Sequence, residues 1–173
     1  MHRNRSLWIF SALLALATAL AAAEPAPPTA PAPATLKVGG EVEKTLSLSS
    51  TDLAALPRTS LKASPEHSSE EVEFSGVALS EIVKLAGVKL GEDLRGPRLA
   101  DYLLIEAADG YKAVFALPEI DPAFSDRVIF LADRANGKPL SETDGPFKII
   151  VPGEKRHARW VRQVISISLQ HAR

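Results

Sequence analysis

Residues 131–164 read LADRANGKPLSETDGPFKIIVPGEKRHARWVRQV, and this stretch decides the fold. Asn136-Gly137 is a tight-turn dipeptide, because the two central positions of a type I′ turn need positive φ. Gly145-Pro146-Phe147 follows, and then Ile149-Ile150-Val151 runs into Pro152-Gly153. A short β-branched run bounded by Gly and Pro reads as a buried strand. Lys155, Arg156, His157, Arg159 and Arg162 then form a basic run around Trp160, with Lys148 just upstream.

Outward from this tail the pattern is mostly strands. Residues 36–48 read as two short strands around Gly39-Gly40. Ser49 or Ser50 is placed to cap a short helix that ends at Pro57. Residues 60–69 are polar and turn-like around Pro65, and residues 72–74 are strand-like. Leu79, Ile82, Val83 and Ala86 form an apolar stripe at helical spacing, with Gly87 as the stop. Residues 91–99 are a Gly/Pro-punctuated connection. Residues 102–107 and 111–117 pair around Asp109-Gly110, a strong hairpin signal. Residues 118–124 suit a helical turn and residues 128–132 a buried strand. Residues 147–151 and 160–169 are the last strands. In the final one Val161, Gln163, Ile165 and Ile167 are expected on one face, opposite Arg162, Val164, Ser166 and Ser168. Many strands with a few short helices give an α+β domain with mixed sheets.

The N-terminus carries a targeting pattern. Arg3 and Arg5 precede an apolar run over residues 7–20, and Ala21-Ala22-Ala23 supplies small residues for cleavage. A mostly apolar run of 14 residues is short of the ~20 that span a bilayer, so residues 1–23 are expected to be a cleaved signal peptide. Asn4 separates the two arginines, so the adjacent twin-arginine signal is missing. That pattern implies export as an unfolded chain, which carries no preinserted cofactor. Residues 24–34, EPAPPTAPAPA, form a Pro/Ala-rich linker. Residues 35–173 fit one domain, long enough to bury a core. The expected location is periplasmic or secreted, with no membrane span after cleavage. The 173 residues include no cysteine, so an exported domain of this kind rests on packing rather than disulfides. The formal charge of −1 offers no reason to expect a nucleic acid partner.

The tail resembles the end of the molybdopterin-binding domain of the sulfite oxidase family. The resemblance rests on Asn136-Gly137-Lys138-Pro139-Leu140, Gly145-Pro146-Phe147, Ile149-Ile150-Val151-Pro152-Gly153 and Arg156-His157-Ala158-Arg159-Trp160. It extends upstream through Phe74-Ser75-Gly76-Val77-Ala78-Leu79 with its following helix, and through Asp109-Gly110-Tyr111. It implies a sulfite-oxidase-like α+β fold and an oxidoreductase-like, molybdopterin-binding ancestry. In that family a cysteine ligates molybdenum, and its place here falls within residues 61–69, Leu-Lys-Ala-Ser-Pro-Glu-His-Ser-Ser. A serine hydroxyl stays protonated at neutral pH and is a hard donor, so it does not replace a soft thiolate.

The resemblance carries over Arg156, His157 and Arg159 as residues that hold an anionic pterin, and Tyr111 as a tyrosine near a substrate anion. Trp160 is a core aromatic or a stacking surface for a flat ligand. Independently, several cations after a Pro-Gly turn suit a phosphate, sulfate or carboxylate. The alternative is a solvated strand-end loop. His67, flanked by Glu66 and Glu70, lacks the partner spacing of a metal site, and no metal ligand set is expected. No catalytic residue is assigned. The leading expectation is an exported module without molybdenum chemistry and with no cofactor, which binds a small anionic ligand or a periplasmic protein partner. The rival is a molybdopterin-dependent oxidoreductase with non-cysteine ligation. A purely structural domain is the third reading.

Overall fold

Residues 34–65 and 70–172 are described by a computed structural model, so the expected signal peptide, the expected linker up to Pro33, and His67 lie outside the described residues. The chain begins with β1 (Thr35–Gly40), in which Leu36 and Val38 are buried and Thr35 and Lys37 are exposed. β2 (Leu46–Ser49) pairs with it antiparallel. α1 (Ser50–Ala54) starts from Ser49, whose Oγ accepts from the Asp52 backbone N–H at 3.2 Å. The Asp52 carboxylate accepts in return from the Ser49 N–H at 2.8 Å, a reciprocal cap that satisfies two helix-end donors.

The polar stretch expected to be turn-like opens as a strand instead. β3 (Arg58–Ala63) pairs antiparallel with β4 (Val72–Ala78) along its whole length. As an edge strand it alternates between exposed and half-buried residues, so it carries no run of buried side chains for a sequence pattern to show. Arg58 ties it to Asp133 with two hydrogen bonds of 2.8 and 2.6 Å. The Asp133 carboxylate raises the Arg58 pKa, with partial burial opposing. β4 runs past Phe74 to Ala78 because Gly76 lets the next strand approach. A Cβ there would sit 1.9 Å from the Leu131 carbonyl oxygen.

α2 (Leu79–Leu85) buries Leu79, Ile82 and Val83 as its stripe requires, and Gly87 follows at φ +87°. Residues 91–99 contain two short 3₁₀ turns, Gly91–Asp93 and Gly96–Ala100. β5 (Tyr102–Ala107) and β6 (Lys112–Ala116) form the hairpin at Asp109-Gly110. α3 (Leu117–Ile120) is the short helical turn. β7 (Phe130–Ala135) and the two-residue β8 (Lys138–Pro139) flank Asn136 (φ 49°) and Gly137 (φ 74°). β9 (Lys148–Ile150) is fully buried, and β10 (Val164–Gln170) ends the domain.

Two five-stranded sheets result. The first has the order β2-β1-β10-β5-β6, with β1 parallel to β10. The second has the order β3-β4-β7-β8, and β9 also pairs with β7. One apolar core joins them, with Phe115, Phe130 and Phe147 fully buried in it. Full burial of each such side chain contributes roughly 1.5–3 kcal/mol.

Over residues 160–169 Val161 and Ile167 are buried as expected, whereas Gln163 and Ile165 depart from the expected alternation. Residues 160–163 precede β10, and its buried side chains are Val164, Ile167 and Leu169, whereas Ile165 is 42% exposed. Gln163 sits at φ 49° and the β10–β5 register shifts between Val164 and Ser166. One inserted residue at a bulge exchanges the faces of everything beyond it.

Candidate functional site

The segment between β9 and β10 lies against β9 before it enters the first sheet. Ile149 N–H donates to the Val161 carbonyl at 2.8 Å, and Val164 N–H to the Phe147 carbonyl at 2.9 Å. A cleft of about 470 Å³ opens at this crossing, a volume within the range of small-ligand sites. The β5–β6 turn forms one side through Asp109 and Tyr111. The 141–148 and 157–163 segments form the others. Pro65, two residues beyond the end of β3, also lines it.

Lys148 is the most buried charge in the lining, at 8% exposure. It stands at the start of β9 with Ile149 and Ile150 buried behind it. Its Nζ lies 5.8 Å from the Phe74 ring centroid and 5.9 Å from that of Trp160, within range of cation–π attraction. It donates to Asp144 Oδ2 at 3.0 Å. The Asp144 carbonyl accepts from the Gln163 N–H at 3.0 Å, which fixes the turn that carries the carboxylate.

His157 and Trp160 stack with centroids 4.0 Å apart and planes at 17°. Trp160 Nε1 donates to the Val151 carbonyl at 3.0 Å, and Phe74 meets the indole edge-on at 5.8 Å. The indole is therefore a core anchor that supports the cleft wall. His157 Nδ1 is buried without a hydrogen-bond partner. Tyr111 is half-exposed, and its hydroxyl donates to the Ala158 carbonyl at 2.7 Å. That bond ties the β5–β6 turn to the basic segment.

Tyr111, His157 and Trp160 thus converge on one cleft, and Lys148 and Arg162 join them. Arg156 and Arg159 lie outside its lining. Arg156 is exposed. Arg159 donates through Nε and Nη2 to Glu154, and through Nη1 to Glu119 at 3.0 Å and the Val114 carbonyl at 3.3 Å. Burial opposes its charge, but the hydrogen bonds to Glu154 and Glu119 outweigh that and raise its pKa. Its guanidinium is committed to two carboxylates. Sequence reading did not single out Asp144. The signal was the Asp144/Lys148 spacing of four residues across Gly145-Pro146, which acquires meaning only once the turn brings the two together.

The residues present do not match a thiolate-held molybdenum. The chain has no cysteine, and among the described residues no three His, Asp or Glu side chains cluster as metal ligands. The cleft's cations, Lys148 and Arg162, suit an anionic group instead. Among the described residues no helix is long and apolar enough to cross a membrane.

Residues 23–173 match the family model described as the oxidoreductase molybdopterin binding domain. No curated protein matches the sequence. Among solved structures the chain is similar to the sulfane dehydrogenase SoxCD from Paracoccus pantotrophus, at 26% identity and a TM-score of 0.62. The match covers 79% of this chain and 38% of that one, so this chain spans well under half the length of that relative.

Proposed function

Because the chain belongs to the oxidoreductase molybdopterin binding domain family, we propose that it is an exported binding module of that family. In this reading it lacks molybdenum redox chemistry and takes a small anion in the cleft beside Lys148. The observation that carries the reading is the cleft itself, which holds a nearly buried ammonium. A desolvated cation gains more from an anion than an exposed one does, because water competes less. The missing cysteine supports the loss of metal chemistry. The N-terminal targeting pattern supports export.

Family membership and the likeness to a sulfane dehydrogenase support a second reading, a molybdopterin-dependent oxidoreductase with non-cysteine ligation. Elemental mass spectrometry and pterin fluorescence on protein isolated from its host separate the two. The binding-module reading expects neither molybdenum nor pterin, together with saturable binding of sulfate, phosphate or a small carboxylate. Stoichiometric molybdenum would establish the oxidoreductase. Absence of the cofactor and of any anion binding would point to a protein partner instead.

A further inference from the structure

Lys148 already has a counter-ion. Asp144 Oδ2 accepts from its Nζ at 3.0 Å, and both residues line the cleft. The Lys148 side chain is 10% exposed and that of Asp144 28% exposed. We infer that Asp144 is an affinity-setting residue: its carboxylate occupies the cation of the cleft, and an incoming anion binds by displacing it. This rests on the reading of the cleft as an anion site, and it adds what limits that site.

The asymmetry of burial gives the direction of the exchange. The aromatic rings of Phe74 and Trp160 hold the ammonium in place, each with its centroid within 6 Å of Nζ. Asp144 sits on a turn held by backbone bonds, Asp144 N–H to the Ser141 carbonyl at 3.1 Å and Gln163 N–H to the Asp144 carbonyl at 3.0 Å. Its carboxylate is the more exposed partner and regains water when it swings out by side-chain rotation. Lys148 has no such route, so it keeps whichever anion is present. A buried charge left without a partner is costly, so Asp144 stays on the ammonium until another anion takes its place. Selectivity follows from the same competition. A ligand must offer a better acceptor than a carboxylate already held in place, which favours compact oxyanions with several oxygens over halides.

Titration calorimetry with sodium sulfate, at ionic strength held constant with chloride, tests this. Asp144→Asn keeps the turn and an oxygen acceptor but removes the competing charge. Sulfate should bind this variant about tenfold or more tighter than the wild type, the scale of one charge-assisted hydrogen bond. Asp144→Glu retains the carboxylate and should stay close to wild type. The double variant Asp144→Asn/Lys148→Met removes both charges without stranding either, and should bind no sulfate. Asp144→Ser serves in place of the Asn variant if thermal melts show that Asn disrupts the turn. Sulfate binding to the wild type that is unchanged or weaker in the Asn and Ser variants would overturn the competition while leaving the anion site standing. No sulfate binding to any folded variant would overturn both.

Discussion

The Arg159 guanidinium lies 4.6 Å from the centroid of the Phe115 ring, with its donors turned to Glu154 and Glu119. Glu119 also accepts from the Ala116 backbone N–H at 3.1 Å. Arg159 therefore fastens the basic segment to β6 and to the helical turn that follows it. Replacing Arg159 with Ala should lower stability by about 2 kcal/mol, because partly exposed ion pairs are screened and the aromatic contact adds modestly. Lysine should recover only part of this, since it lacks the planar fork. Urea denaturation measures the loss. Sulfate affinity should change little, and a variant that folds as well as wild type but no longer binds sulfate would return Arg159 to the ligand site.

Tyr111 spends its hydroxyl on the Ala158 carbonyl. Tyr111→Phe should cost about 1 kcal/mol or less in stability, the net worth of one exposed hydrogen bond. Sulfate affinity should hold. A loss of about tenfold in affinity without a stability change would mean that the hydroxyl leaves Ala158 to meet the ligand.

At Gly76 β4 lies close against β7. Any side chain there would meet the Leu131 backbone at 1.9 Å, and backbone atoms in a paired strand have nowhere to yield. Gly76→Ala should destabilise by about 3 kcal/mol or more, at the severe end for a single substitution. Loss of soluble expression or a large fall in melting temperature is the expected readout. Ala replacing Gly91, which has open space around it, should show only the smaller strain of its φ of +69°.

Asp52 has its carboxyl held below the ordinary value of 3.8 by the side-chain and backbone hydrogen bonds of Ser49. A depressed folded-state pKa gives stability that is full above the unfolded value and fades as pH falls through the folded one. Wild type should therefore be more stable than Asp52→Asn at neutral pH, and the difference should begin to fade near pH 3.8 and close as pH falls through the lower folded-state value. Chemical denaturation of both proteins across pH 2–7 checks this. A difference that persists unchanged into strong acid would mean that the cap does not depend on the charge.

The sequence by itself determined most of the elements, because their signals are local. The Asp109-Gly110 and Asn136-Gly137 turns, the α2 stripe ending at Gly87, and the Ser49 cap each depend on residues within a few positions of one another. The absence of cysteine is likewise complete in the sequence. Tertiary structure alone decided three things. β3 exists because β4 offers it a ladder, since even its inward side chains, Leu61 and Ala63 among them, are only partly buried. The faces of β10 follow from a bulge at Val164/Ser166, and one inserted residue reverses a two-residue period. Four Lys/Arg cations and a histidine in one basic run look equivalent on paper, yet the fold gives Arg159 to Glu154 and Glu119, leaves Arg156 exposed, and brings Arg162 and His157 to a cleft with the upstream Lys148. Which charge meets a ligand depends on carboxylates up to 40 residues away in the chain, and local sequence does not show where those lie.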